Sequence, residues 1–361
     1  MGVLTSRLDV PLDDPHGFLE HLKAHLPDAI PTDAVLGEAT VIDLYGARTR
    51  LDFRGSVLRI DVEGEEAGAL GIAKGTAAYY VQHILGDRCP DLRWSGDGAG
   101  TRDLAHFREM RVVSAFDVTP RMRRVRLAGA ELARFATGGL HVRLAIPPAG
   151  RAPVWPHAGA AALPVWPTGE DTLATRVYTI RAIDPDAGHL DIDVALHEPP
   201  SVGCRWACEA RPGDRVGILG PGGDGTKPAG WTLLLGDETA LPAIARMLET
   251  LPANARGQAF LEVADAGEEQ ALRHPAGFEV HWLHRGDRPP GTTDLLIEAA
   301  RSAAWPDEGG VYVWAAAEFA AFKEIRHHCR KERGLKKGQH LAVAYWRRGR
   351  LQGDDEADDH E

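Results

Sequence analysis

The hexapeptide Arg176-Val177-Tyr178-Thr179-Ile180-Arg181 places two guanidinium groups, a phenol and a hydroxyl among aliphatic residues. Such a stretch reads as a β-strand, whose side chains point alternately to two faces. Arg176, Tyr178 and Ile180 then share one face, and Val177, Thr179 and Arg181 share the other. A phosphate would satisfy Arg176 through charge-assisted hydrogen bonds. Tyr178 offers an aromatic plane for stacking, and Thr179 a small donor at a ring edge. A solvated strand face with a cross-strand ion pair uses the same residues, so the motif alone leaves both readings open.

Two other places carry the spacing of nucleotide chemistry. Gly220, Gly222 and Gly225 spell a literal G-x-G-x-x-G in GPGGDG. The dinucleotide fingerprint needs a helix to open at its end, with amides aimed at a pyrophosphate. Here TKPAGWT follows, and Pro228 with Gly230 blocks a helix, so the segment is predicted to be a bend joining two domains. The strand-to-helix turn falls instead at Gly236-Asp237-Glu238-Thr239-Ala240, after WTLLL. Thr239 is predicted to cap that helix through its hydroxyl. A second such turn, Ala315-Ala316-Ala317-Glu318, follows VYVWAA, where small residues let a nucleotide approach the backbone. Two histidines, His21 and His25, stand one helical turn apart, a spacing that suits a metal ion as well as a solvated face.

These residues need elements to hold them. A first unit over 1–100 reads as a small α+β domain: a helix at 18–26, strands ATVIDLY, TRLDFRG and VLRIDVEG, a helix at about 66–85 and a last strand at DLRW. GDGAGTRD reads as a linker. Six alternating segments follow, MRVVSAFDV, MRRVRLAG, LHVRLAI, RVYTIR, LDIDVAL and DRVGILG, with little helix between them. They predict an antiparallel β-barrel over 105–228. The Pro-, Gly- and Trp-rich stretch 147–175 is expected to flap over a barrel edge or a site. From 229 to 350 apolar strands alternate with helical patterns, which predicts an α/β domain on a parallel sheet. The last residues, 351–361, form an acidic tail expected to be disordered.

A chain of 361 residues with 44% apolar and 26% charged residues fits a soluble protein of two or three domains. No apolar run approaches the length of a membrane span. The N-terminal residues lack a basic segment followed by an apolar one, so no secretory leader is expected. Cys89, Cys204, Cys208 and Cys329 make neither a disulfide framework nor a metal pattern, and a reducing cytoplasm is the expected compartment. The net charge of −11 argues against general nucleic-acid binding. Residues 321–350, however, hold ten Lys/Arg against Glu324 and Glu332, a candidate contact for an anionic ligand.

Residues 108–350 resemble the siderophore-interacting proteins, NAD(P)H-dependent ferric-siderophore reductases of the ferredoxin-reductase superfamily. The resemblance is carried by FDVTPRMRRVRLAG, RVYTIRAIDPDAGHLDIDVALH, CRWACEARPGDRVGILGPGG, LLLGDETALPAIARMLETLP and HLAVAYWRRG. It implies an FAD-binding barrel and a nucleotide-binding C-terminal domain behind a small domain of unknown function. It implies that Arg176, Tyr178 and Thr179 hold the flavin phosphate and ring, that His197 lies beside the cofactor, and that Trp346 covers the ring. Ser201, Gly203, Trp206 and Ala207 would form the turn and helix start over the pyrophosphate. This chain reads EPPSVGCRWA there, where the family has G-P-A-S-x-W-A. Asp237, Glu238, Thr239 and Ala240 match the family's nucleotide turn.

The implied activity is transfer of electrons from NAD(P)H through FAD to an Fe(III)-siderophore, releasing Fe(II). NADPH is favoured, because the basic region would meet its extra phosphate. Lys337, Arg347, Arg205 and Arg143, with Lys336 and Arg348, are the candidate contacts for the ferric siderophore. No resident metal, nucleic-acid partner or membrane insertion is expected, and a monomer is. Two rival readings stay open. One is a flavin reductase of the same scaffold acting on a quinone, free flavin or a ferredoxin. The other is a siderophore-binding module without redox chemistry.

Overall fold

The computed structural model describes residues 2–26, 30–137, 139–306 and 309–350. They divide into two compact units, one formed by 1–107 with 150–173 and the other by 108–149 with the residues from 174 onward. The expected tail at 351–361 lies outside the described residues.

The first unit begins with β1 (Leu4–Pro11), a strand not expected from the sequence. Its Ser6, Leu8 and Val10 face inward and the residues between them outward, the period of a half-buried strand. Helix α1 (Pro15–His25) follows, started by Asp14, whose carboxylate accepts from the Gly17 amide. Then come β2 (Thr40–Leu44), β3 (Ala47–Arg54), β4 (Val57–Gly64), α2 (Ala67–Leu85) and the two-residue β5 (Ser95–Gly96). The sheet runs β2-β3-β4-β1-β5. The residues DLRW are not a strand. Trp94 is buried instead, and its Nε1 donates to the Ala161 carbonyl at 3.1 Å.

That bond marks a second difference from expectation. The chain enters the second unit with β6 (Phe107–Thr119), β7 (Met122–Ala128), α3 (Ala133–Thr137) and β8 (His141–Ile146). It then returns, and 150–173, with the short β9 (His157–Ala158) and β10 (Pro164–Val165), packs on the first unit. Ala161, Ala162 and Leu163 lie against the first unit's core, so this stretch is packed into that unit rather than being a loose flap. Nothing in its composition distinguished a segment with apolar partners far back in the sequence from a loop.

The barrel resumes with β11 (Ala174–Asp184), β12 (His189–Ala195), α4 (Val202–Glu209) and β13 (Arg215–Gly222), and closes in the order β11-β12-β7-β6-β13-β8. All six alternating segments are its strands. Val125, Leu127, Leu144, Ile180, Ile192 and Ile218 fill the interior. Outside, Arg124 and Arg126 make two-pronged bonds with the buried Asp193 and Asp191 directly across the β7/β12 pair, at 2.7 to 2.9 Å. Those carboxylates raise the pKa of both arginines.

The bend at GPGGDG opens no helix. The next element is β14 (Trp231–Asp237), followed by α5 (Leu241–Thr250), β15 (Arg256–Val263), β16 (Gly277–His284), α6 (Leu295–Ser302), β17 (Val311–Glu318), α7 (Phe319–His327) and β18 (His340–Trp346). The sheet is parallel throughout, in the order β16-β15-β14-β17-β18. Helix α5 is buried from Leu241 to Leu248 because it lies between this sheet and the barrel. Helices α6 and α7 cover the opposite face.

Candidate functional site

The strand β11 delivers the hexapeptide to the barrel wall. Tyr178 packs against the barrel core, and its hydroxyl lies so close to the first turn of α4 that a Cβ on Gly203 would collide with it. Burial pushes the Tyr178 pKa well above its ordinary value, so the phenol stays protonated. Arg176 stands opposite Leu144, and among the described residues it makes none of the cross-strand ion pairs that the alternative reading of the strand called for. Its Nη1 donates to the Thr175 carbonyl at 2.7 Å, and no carboxylate pairs with it among the described residues. Arg181 instead pairs with Glu249 of α5 at 2.9 Å and ties the barrel to the α/β domain.

Helix α4 begins at Ser201, whose Oγ accepts from the Cys204 amide at 3.3 Å. The first intrahelical bond runs from the Arg205 amide to the Ser201 carbonyl, leaving the Val202 and Gly203 amides ahead of it. A helix N-terminus of this kind favours an anion. Trp206 leans on the barrel core, and Ala207 is buried with its carbonyl receiving Arg123 Nε at 2.8 Å. The structure thus brings Arg176, Tyr178, Ser201 and Gly203 to one region, while Trp206 and Ala207 hold α4 in place. His197 is exposed in the loop leading to α4, where its carbonyl accepts from the Cys204 thiol.

The second half of the site is the carboxyl edge of the parallel sheet. Neighbouring strands β14 and β17 lead to helices on opposite faces, and such a switch point opens a ligand crevice. Asp237 closes β14 and is buried. Its carboxylate accepts from the Thr239 amide at 2.9 Å, the Thr239 hydroxyl at 2.6 Å, the Glu318 amide at 3.1 Å and Trp346 Nε1 at 2.8 Å. Burial nevertheless pushes its pKa up. Thr239 therefore does not cap α5: Ala240 holds that position without a side-chain bond, because a carboxylate two residues away is the stronger acceptor. Asp237 instead ties three strand ends, β14, β17 and β18, into one edge.

Beside it, Glu238 pairs with the buried Arg285 at 2.9 Å, and Glu262 accepts from the Thr293 hydroxyl at 2.8 Å. Burial raises the Glu262 pKa from 4.5 to about 7, helped by the Asp237 and Glu238 charges. Its folded-state pKa lies above the unfolded one. Its contribution to stability is therefore complete below 4.5 and is lost as pH rises through about 7. Glu262→Gln should raise the melting temperature at pH 8 and change it little at pH 5, as read by differential scanning calorimetry at both values.

Residues that the sequence patterns did not single out join the two halves. His141 Nδ1 lies 3.2 Å from Thr179 Oγ1, and its Nε2 lies 2.8 Å from the Tyr345 hydroxyl. Arg246 of α5 donates to the carbonyls of Ile180 at 3.1 Å and Ala136 at 3.0 Å, with longer bonds to Phe135, Gly139 and Leu140. The buried Glu268 accepts from the Thr119 hydroxyl at 2.5 Å. His141 and Arg246 lie in segments whose periodicity had already been explained by a strand and a helix, so only their polarity inside an apolar pattern marked them, and Glu268 lies in a connection that carried no signal.

The candidate substrate cations are spread more widely. Arg143 is exposed on β8, and Arg205 donates to the Pro200 carbonyl at 2.9 Å. Lys336 and Lys337 are exposed ahead of β18, as is Arg348 beyond it. Arg347 lies over the Phe319 ring at 4.4 Å. Among the described residues no group of three or more His, Cys, Asp or Glu is placed to hold a metal ion. His21 and His25 turn their Nδ1 atoms to the carbonyls of Gly17 and His21, each at 2.8 Å.

A closed antiparallel barrel joined to a parallel sheet with a switch-point crevice is an architecture that can hold a nucleotide at the strand ends. Residues 111–225 match the siderophore-interacting FAD-binding domain, and 229–349 match the siderophore-interacting protein family. The chain belongs to the siderophore-interacting protein family. The ferric vibriobactin reductase ViuB of Vibrio cholerae is 30% identical over 245 residues, 64% of this chain and 86% of its own. A siderophore utilization protein from T. fusca of known structure is 41% identical, with a TM-score of 0.58, covering 69% of this chain and 97% of its own. An uncharacterized Mycobacterium tuberculosis protein, Rv2895c, is 38% identical over 188 residues, 49% of this chain and 66% of that relative's length.

The residues present fit FAD. Arg176 is a cation without a carboxylate among the described residues, the Val202 and Gly203 amides precede the first intrahelical bond of α4, and the Tyr178 hydroxyl meets that first turn. Among the described residues no helix is long and apolar enough to cross a membrane.

Proposed function

We propose that this chain is an FAD-dependent reductase that takes electrons from NAD(P)H and releases iron from a ferric siderophore as Fe(II). The observation that carries the reading is the joining of the two half-sites. The β11 strand that meets the flavin pocket reaches β18 through His141, and β18 ends at Trp346, fixed to the nucleotide edge by Asp237. Bound FAD would supply the step from two-electron donor to one-electron acceptor.

The chain's own residues position and shield. Arg176 and the first turn of α4 would hold phosphate oxygens, Tyr178 would stack on the ring system, and Thr179 would donate to it. Asp237 keeps the Trp346 indole from turning away. Ser201, Gly203, Trp206 and Ala207 shape the pyrophosphate cradle, and Asp237, Thr239 and Ala240 line the nucleotide turn. His197, exposed in the loop before α4, would lie beside the cofactor. Hard siderophore oxygens hold Fe(III) far more tightly than Fe(II), so electron delivery suffices for release and no side chain acts on the metal. Arg143, Arg205, Lys337 and Arg347 serve as contacts for an anionic ferric complex. The four free thiols suit a cytoplasmic setting.

Anaerobic turnover with NADPH or NADH tests the reading. A ferric siderophore should give chelatable Fe(II) at a rate well above quinone reduction, with a higher kcat/KM for NADPH. Faster quinone turnover with no Fe(II) would make the chain a different reductase on this scaffold, and an NADH preference would remove the phosphate argument alone.

A further inference from the structure

The tautomer of His141 is decided by its neighbours. Burial, then the Arg246 charge, lowers its pKa to about 4, so at neutral pH one ring nitrogen donates and the other accepts. Burial also keeps the Tyr345 phenol protonated. Among the described residues the Tyr345 hydroxyl has one acceptor, His141 Nε2 at 2.8 Å. Either tautomer leaves one buried hydroxyl proton without an acceptor among the described residues, that of Tyr345 or that of Thr179; only the arrangement in which Tyr345 donates to Nε2 is completed when a ligand acceptor reaches Thr179. Nδ1 then carries the proton and donates to Thr179 Oγ1 at 3.2 Å. Thr179 is 4% exposed, and its own proton finds no acceptor among the described residues. The buried hydroxyl is left with a donor to spend on a ligand.

The ring that transmits this is tightly held. It meets the Tyr345 ring edge-on at 5.4 Å, and a side chain on Gly223, at a φ of 79°, would collide with it. Tyr345 immediately precedes Trp346, so the same strand end that closes the nucleotide edge also sets the barrel's hydroxyl.

We propose that Tyr345 and His141 are positioning residues that fix Thr179 as a hydrogen-bond donor to the flavin, making the barrel's grip on FAD depend on the last strand of the α/β domain. This rests on the reading of Thr179 as a flavin contact. A purely structural histidine would affect folding without coupling to Thr179.

The test is a double-mutant cycle on FAD dissociation constants, measured by flavin fluorescence on the deflavinated full chain. His141→Leu and Thr179→Val should each weaken FAD by about tenfold, the effect of one lost hydrogen bond, and the double variant should be no weaker than either. His141→Asn, which keeps a donor near the Nδ1 position, should restore binding to within about threefold of wild type. Tyr345→Phe removes one oxygen, keeps the ring packing, and should reproduce part of the loss with the same non-additivity. Additive losses, or unchanged affinity in Tyr345→Phe and His141→Leu while Thr179→Val weakens binding, would overturn the proposal and leave the flavin assignment standing. If Thr179→Val and Arg176→Ala both bind FAD like wild type, the flavin assignment falls and the proposal with it.

Discussion

Arg176→Ala should purify with little or no flavin and bind added FAD about 100-fold more weakly than wild type, without loss of folding. The size follows from the bond type: a guanidinium holding phosphate oxygens contributes about 1.5–3 kcal/mol, and about 1.4 kcal/mol is a factor of ten. The loss should be specific because Arg176 does nothing else of consequence. Among the described residues it makes one bond, to the carbonyl of its own neighbour, and stands across from Leu144 rather than an acid. Removing it leaves no buried carboxylate stranded, so circular dichroism and melting temperature should stay close to wild type. Arg181, two positions beyond Thr179, is the control. Its loss would break the pair with Glu249 and should alter stability more than flavin affinity. Comparable FAD binding by Arg176→Ala and wild type would remove Arg176 from the site.

Arg246→Met should destabilise the second unit by about 3 kcal/mol, with the barrel and the α/β domain losing their common unfolding transition. Arg246 is buried on α5 and donates to carbonyls of the α3 turn, the entry to β8, and β11. Among the described residues no carboxylate balances it, and burial lowers its pKa. Replacing it leaves several inward-facing carbonyls without donors, and orphaned buried polar groups cost about 1–3 kcal/mol each before relaxation. Methionine keeps most of the stem packing, so the loss reports on the bonds. Denaturant unfolding followed by tryptophan fluorescence, against Arg181→Met as a milder perturbation of the same interface, measures it. An unchanged midpoint would show that water replaces the guanidinium at no cost.

Arg176 and Arg246 are residues of opposite legibility. The barrel and the parallel sheet were readable because strands there obey simple periods: alternation in MRRVRLAG and LDIDVAL, continuous apolar character in WTLLLG. Arg176, Tyr178 and Thr179 stood out because a polar row in such a strand needs a purpose. Asp237 was marked by its place at a strand-to-helix turn. Its full set of bonds was not foreseeable, since two of the four donors, the Glu318 amide and Trp346 Nε1, are brought by sheet order rather than spacing. The same long-range closure hid His141 and Arg246. His141 looked like an ordinary polar member of the strand LHVRLAI, and Arg246 like the polar side of an amphipathic helix, whereas α5 is buried all round from Leu241 to Leu248. The segment 150–173 failed for a related reason. Its Ala161–Leu163 contacts lie with α2 and Trp94, outside any local window.

The central claim is one flavin held between Arg176, Tyr178 and the first turn of α4. Titration of the deflavinated chain with FAD, followed by fluorescence quenching and visible absorbance, tests that directly. One FAD per chain should bind, with its emission quenched as the ring packs against Tyr178, and with affinity that weakens as salt screens the phosphate contacts. A chain that takes up no FAD, or takes it up identically with Arg176 and Tyr178 both replaced by Ala, would contradict the claim.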